Sequence, residues 1–308
     1  MDELIGAIPG ASRTEKSSHS RHSGLLRRLG RVQLPKTVYA SYFWVAVLIL
    51  LAVLGAVITP HDPLEQNLMS RNAPPLWLEG GSIDHPFGTD QLGYDLLSRA
   101  MVSARPTLLI GGLASVIALV TGTLLGLVAG YFRGPADGLI MLLADSQLSI
   151  PSLVIVISAV AAFGPSIPLL IILAGFSGWM GFARTVRANV LALRGRDFVV
   201  SSQALGAGNV RILYRHILPN IASTVIVLIT IQFRSLILFE AALSFLGLGV
   251  PPPQPSWGSM ISGGRDYLLS AWWISVLPGL ALMLTVLSVS LIGDWLRDEL
   301  DPTLRNIR

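Results

Sequence analysis

Residues 201–220 read SSQALGAGNVRILYRHILPN. The stretch lies between two long apolar runs and is itself too polar to cross a membrane. Residues 198–207 can form a short helix, with Asp197 available as its N-cap. Gly206 and Gly208 then weaken it, each by up to about 1 kcal/mol relative to alanine. A second helix can start near Asn209 and run through VRILYRHIL to Pro219, which ends it. The pattern is helix, glycine turn, helix. Leu205, Ile212, Leu213, Ile217 and Leu218 supply an apolar face, and Arg211 and Arg215, four apart, share another. That apolar face has three possible uses: packing under its own bundle, lying at a membrane interface with snorkelling arginines, or docking in a groove on another protein.

The surrounding chain is that of a membrane protein. It is 52% hydrophobic and 13% charged over 308 residues, where soluble domains carry about 25% charged residues. Its mean hydropathy is +0.64. A bilayer core of roughly 30 Å takes about 20 apolar residues in a helix. Six stretches meet or approach that length: 39–59, 107–131, 138–163, 167–182, 221–243 and 272–292. The fourth is short and begins among Pro165 and Pro168. The expected fold is therefore all-α with six transmembrane helices.

Lysine and arginine set the orientation. With the N-terminus cytoplasmic, the tail, the turn at Arg133, the loop 183–220 and the C-terminus hold seven, one, six and three of them, 17 of the 22. Both ends are expected in the cytoplasm. Residues 1–36, rich in Ser, Gly and Arg, read as a flexible tail with helical tendency near LLRRLGR. Residues 37–60 form the first span, too long for the apolar core of a cleaved signal peptide. The segment 61–105 is then extracytoplasmic and acidic. In it GTDQLGYDLLSRAMVSA reads as a turn and an amphipathic helix capped by Thr89 or Asp90. Residues 106–295 form a five-helix core that includes the loop 197–220, and 296–308 form a cytoplasmic tail. After the fifth span, three consecutive prolines at 251–253 force a non-helical, shallow excursion.

Enzyme chemistry has little to stand on. There is no cysteine and no Gly-x-x-x-x-Gly-Lys-Ser/Thr sequence, and the chain holds only two lysines. The five histidines, His19, His22, His61, His85 and His216, are scattered in sequence, and no metal site is expected. No nucleic-acid partner is expected either; the lipid bilayer is.

The loop resembles the EAA loop of permease subunits in ABC importers. That family pattern is roughly Glu-Ala-Ala, three residues, Gly, then about a dozen residues to Leu-Pro. Here Ala204, Leu205, Gly206 and Ala207 match around the glycine, and Arg215 to Asn220 match around Leu218-Pro219. Val200-Ser201-Ser202 stand where the family has Glu-Ala-Ala. HPFGTDQLGYDLLSR (85–99), LLGLVAGYF (124–132), FLGLGVPPPQPSWGSM (245–260) and LIGDWLRDELDP (291–302) look like the C-type permease of dipeptide, oligopeptide and nickel importers. The resemblance runs from about Tyr39 to the end.

The resemblance implies the type I importer permease fold in a bacterial inner membrane. It implies four kinds of partner: a second homologous permease, two ATPase subunits holding ATP and Mg, and an extracytoplasmic substrate-binding protein. This chain itself would bind no cofactor. The loop would be a coupling helix seated in an ATPase groove. Gly206 would permit its turn, Leu205, Ala207 and Ile212 would fill the groove, and Arg211 and Arg215 would face polar or acidic groups. The substrate would be a peptide, with nickel or another small solute as the alternative. A self-sufficient secondary transporter is the reading from another class; no internal repeat supports it.

Within the spans, Asp145, Arg234 and Glu240 are ionisable residues at membrane depth. Such residues cost at least about 2.5 kcal/mol, and so face a cavity or a partner. With Gln232 they read either as a polar translocation path or as salt bridges between helices. Gly111, Gly112, Gly122 and Gly126 read as helix-packing positions.

Overall fold

The computed structural model describes residues 35–300. The expected N-terminal tail, and the chain beyond Leu300, lie outside the described residues. Those described are helical, with one isolated bridge, Thr89 to Asp95, and no named strand. Helix α1 spans Lys36–Ile58, α2 Leu96–Phe132, α3 Gly134–Leu148, α4 Ser152–Phe163 and α5 Ile167–Arg194. Then come α6 (Asp197–Ala204), α7 (Asn209–Ile212), α8 (Leu218–Phe245), α9 (Trp257–Gly264) and α10 (Trp273–Leu300). Five rods are long and apolar enough to cross a membrane: α1, α2, α5, residues 209–245 and α10.

The remaining span, third in chain order, has an unexpected shape. The apolar run 138–163 is broken, and α3 meets α4 at 81°. Pro151 is the cause: the residue before a proline is driven out of the helical region, and Pro151 itself offers no N–H to continue the ladder. The pair counts as one bent span or a re-entrant excursion.

Two expectations at the start of α2 are corrected. Thr89 and Asp90 do not cap it, and no separate amphipathic helix precedes the span. Asp95 is the N-cap, its carboxylate accepting the Ser98 N–H at 2.8 Å. Thr89 is occupied elsewhere: its Oγ1 accepts the Ala73 N–H and donates to the Ser70 carbonyl. Asp90 Oδ1 accepts the Leu92 and Tyr94 N–H groups. From Asp95 the helix runs through Pro106 for 37 residues, about 55 Å at 1.5 Å each. It therefore projects beyond the bilayer core.

Helix α5 starts where the prolines are and runs past Phe182 to Arg194. Ser166 caps it and Pro168 sits in the first turn, where a missing N–H costs nothing. Ala183, Val186 and Val190 continue its buried stripe. The stripe meets α2 at close range. A Cβ added at Gly122 or Gly126 would stand 2.3 Å from the Trp179 carbonyl oxygen or 2.6 Å from that of Ala183. Gly111 also sits in a tight contact, 3.0 Å from Ile237. Gly112 does not: a Cβ there would meet nothing within 4 Å.

At the other end of the bundle a second core gathers Leu48, Leu96, Trp257, Trp273 and Ile274. Trp257 donates its indole N–H to the Ala100 carbonyl at 3.0 Å, and Trp273 donates to that of Thr89 at 3.3 Å. The segment after Phe245 leaves the helix and returns as α9, opened by a Ser256–Ser259 capping box. Two of the scattered histidines come together here. The His61 and His85 rings lie 4.7 Å apart, because the 60–95 segment folds back to bring the exit of α1 to the start of α2.

Candidate functional site

The loop 197–217 is built as two arms around one glycine. In α6 the N-cap is Arg196; Asp197 stands in the first turn instead and makes no side-chain cap. The helix closes with paired bonds, Ala207 N–H to the Ser202 carbonyl (3.0 Å) and Gly206 N–H to that of Gln203 (2.9 Å). This closure puts its turn residue in the left-handed region, and Gly206 has φ +79°. None of the described residues comes within 4 Å of a Cβ built at Gly206. Backbone conformation alone demands the glycine there.

The second arm does not end at Pro219 as expected. From Asn209 it runs as α7, then as a π-helical turn over Leu213–Ile217, and without a break into α8. The Leu218 N–H reaches back five residues to the Leu213 carbonyl. The wide turn lies directly before Pro219, whose ring would clash with the carbonyl four residues back in a regular helix. Pro219 therefore sits in the first turn of α8 and is tolerated.

The orientation of the side chains differs from the expected face. Ile212 and Ile217 are fully buried, together with Val199, against Leu127, Tyr131, Val186 and Val190 of α2 and α5. Ala207, Leu213 and Leu218 are partly buried on the same cluster. Ile212 is thus committed to the chain's own core and is not available to fill a partner's groove. Exposed instead are Leu205 (89%), Val210 (79%) and Tyr214 (75%). Val210 and Tyr214, four apart, share a helix face. Ala204, Arg211, Arg215 and Pro219 are exposed as well. Sequence reading missed Val210 and Tyr214. The missed signal was helical register: once 212 and 217 face inward, 210 and 214 face out.

Tyr131, at the end of α2, was also missed. Its hydroxyl donates to Asn209 Oδ1 at 3.0 Å and accepts from Gln203 Nε2 at 3.3 Å. One side chain therefore ties both arms of the loop to the bundle.

The four polar residues of the spans are not brought together. Asp145 on α3 forms an ion pair with Arg184 on α5, and both side chains are about half exposed. A neighbouring pair, Asp137 with Arg187 (Nη2 to Oδ2, 2.7 Å), joins the same two helices. Gln232 packs toward Gly178 of α5, where its Nε2 lies 2.4 Å from a Cβ position. Arg234 donates to Ser290 of α10 at 3.2 Å. Glu240 is buried and accepts from the Ser244 hydroxyl at 2.7 Å. Each of the four faces a different neighbour.

With this geometry in view, comparison with known proteins is direct. The model of the family "Binding-protein-dependent transport system inner membrane component" matches residues 122–306, more than half of the chain. That of the "N-terminal TM domain of oligopeptide transport permease C" matches residues 36–75. The chain is 43% identical to the di/tripeptide transport system permease protein DppC of Pseudomonas aeruginosa, over 88% of this chain and 89% of that one. It is 44% identical to the dipeptide transport system permease protein DppC of Escherichia coli K12, over 88% and 90%. Among solved structures, an inward-facing form of the MetNI methionine ABC transporter shares the fold, with a TM-score of 0.56 at 16% identity, over 67% of this chain and 98% of that one. The chain therefore belongs to the family of binding-protein-dependent transport system inner membrane components, as a multi-pass permease subunit of an ABC importer rather than an enzyme.

Proposed function

We propose that this chain forms one half of the pore of a peptide importer, and that residues 197–217 receive the movement of an ATPase subunit. The peptide substrate rests on the relatives, which are named as dipeptide and di/tripeptide permeases. The second half of the pore is a homologous permease. Two ATPases hold ATP and Mg, and an extracytoplasmic binding protein delivers the peptide. Both termini and the loop face the cytoplasm of a bacterial inner membrane, as the arginine distribution favours.

The single observation that carries the coupling role is the split of the loop into two faces. Val199, Ile212 and Ile217 anchor it to α2 and α5, while Leu205, Val210 and Tyr214 point away with none of the described residues over them. An apolar ridge on short helices matches helix-in-groove recognition. Arg211 and Arg215 flank it and meet acidic or polar groups on the ATPase. Ala204, Gly206 and Ala207 shape the turn, and Leu218-Pro219 hands the movement to α8. A push on the ridge reaches α2 through the buried isoleucines and Tyr131 instead of being lost in a slack loop. Of the polar span residues, Asp145 is the best placed for the translocation path, since its pair with Arg184 stays half exposed. Gln232, Arg234 and Glu240 are offered as its continuation, each moving its present contacts as the pore opens.

The test is purification of the C-terminally tagged chain in mild detergent, with mass spectrometry of what stays bound. Recovery of a second permease and of ATPases with P-loop motifs, lost in the double variant Leu205→Asp with Tyr214→Asp, is expected. Recovery of this chain alone, moving peptide without ATP, would overturn the proposal.

A further inference from the structure

Beyond transport, the segment between α1 and α2 brings together three side chains with no assigned role. His85 Nδ1 lies 2.9 Å from Asp95 Oδ1, and His61 Nδ1 lies 3.9 Å from the same oxygen. One ligand atom from each of the three residues lies within 4.8 Å of the others. We propose that His61, His85 and Asp95 bind one divalent transition-metal ion, zinc in the first place, and that the ion clips the exit of α1 to the start of α2.

Four observations support this. First, both imidazoles direct Nδ1 at one carboxylate oxygen. That oxygen can accept from His85, but His61 Nδ1 is then buried with no hydrogen-bond partner among the described residues. A buried polar atom left unpaired carries its desolvation penalty with nothing to offset it. An ion between the three groups satisfies all of them at once. Second, the spacing is close to what zinc needs. Bonds of about 2.0–2.1 Å in a tetrahedron put donor atoms about 3.4 Å apart. The two separations of 2.9 and 3.9 Å bracket that value. Third, the outer contacts are in place. Asp95 Oδ2 is held by the Ser98 N–H at 2.8 Å, and the Ser98 hydroxyl accepts the His61 backbone N–H at 3.1 Å. One residue thus orients two ligands, as outer-shell partners of metal sites do. Fourth, access is graded. The Asp95 side chain is 1% exposed, that of His85 16% and that of His61 37%. An ion can enter on the His61 side, where a fourth position stays open to water.

Two imidazoles and one carboxylate favour zinc and its neighbours over magnesium or calcium, which prefer all-oxygen sites. The ligands are far apart in the chain and belong to the end of α1, the turn before α2 and its N-cap. The ion would therefore act as a structural tie.

The test uses the full chain, in detergent and without a polyhistidine tag. His19 and His22 are both changed to Ala, so that the tail cannot bind the ion. The metal-stripped protein is titrated with zinc alone, desalted and analysed for bound metal. One zinc per chain is expected, with magnesium failing to compete. His61→Ala and His85→Ala should each weaken binding by at least about tenfold, since even outer-shell losses cost 10–100-fold. Ser98→Ala should weaken it by about tenfold, with helical content unchanged. Zinc should raise the thermal midpoint of the parent chain and not that of His61→Ala. The proposal is overturned if the folded parent retains no zinc, or if His61→Ala retains as much as the parent. Should His85→Ala fail to fold, His61→Ala decides alone, because the His61 Nδ1 has no hydrogen-bond partner to lose among the described residues.

Discussion

The segment 60–95 and the stretch 197–217, whose second arm opens the rod 209–245, both leave apolar side chains exposed. Met69 and Ile83 are exposed in the first, Leu205 and Tyr214 in the second. Exposure does not separate them; the way each is held does. The first is closed by its own side chains. Asn67, Thr89 and Asp90 bond to its backbone, Asp95 caps the helix that follows it, and a Cβ at Gly93 would lie 1.8 Å from the Asn67 carbonyl oxygen. In the second, the glycine has open space around it and the outward face has no partner among the described residues. A segment finished from within serves its own chain. One anchored on a single side leaves a face free for the ATPase proposed above.

Substitutions can break this contrast. Gly93→Val meets a backbone carbonyl and a φ of +79° together, so it should cost more than about 4 kcal/mol. The chain should then fail to accumulate in membranes, as an immunoblot of the membrane fraction would show. Gly206→Pro has the same φ to violate and nothing to strike, and proline holds φ near −65°. It should accumulate normally and lose most ATP-dependent peptide uptake. Full uptake would remove the coupling role. Leu205→Asp with Tyr214→Asp should leave the thermal midpoint close to that of the parent, since exposed substitutions stay within about 0.5 kcal/mol, while uptake falls at least tenfold. Asp145→Asn breaks a half-exposed pair with Arg184, worth about 0–1 kcal/mol. It should change uptake more than assembly; loss of the complex on a native gel would make the pair purely structural.

The mildest test sharpens the account of the first segment. Burial pushes the Asp90 carboxyl above the usual carboxylate range, against the Leu92 and Tyr94 N–H groups and Arg99, which lower it. A carboxyl raised on folding contributes most stability below its unfolded pKa, and loses that contribution as pH rises through the folded value. Asp90→Asn keeps the Oδ1 acceptor and cannot ionise. Unfolding of the variant should lose part of its pH dependence in that window, and an unchanged profile would exclude Asp90 as the source.

Much of this molecule was legible in its sequence, and the misses share a cause. The spans were visible because a bilayer imposes length and composition together. Pro151 and Pro106 show the limit: one breaks a run that hydropathy leaves continuous, and the other sits inside a helix that runs through it. Which outcome occurs depends on neighbouring helices, not on the local string. In the loop, the glycine turn between two helical arms was legible, but the cap of the first arm and the end of the second were not, and Ile212 faces in while Val210 and Tyr214 face out. An outward apolar side chain and a core one have the same letter, and only helical register against the bundle distinguishes them. His61, His85 and Asp95 were invisible as a group because the turns of the 60–95 segment, not their spacing, bring them together.

The central claim is that Leu205 and Tyr214 meet an ATPase while Ile212 does not. The chain has no cysteine, so single cysteines can be placed at will. Leu205→Cys, Tyr214→Cys and Ile212→Cys would each be treated with a short bifunctional maleimide in native membranes, and the products identified by mass spectrometry. The account predicts cross-links to an ATPase from positions 205 and 214 and none from 212. Free labelling of 205 and 214 without a cross-link, in membranes that transport peptide, would contradict it.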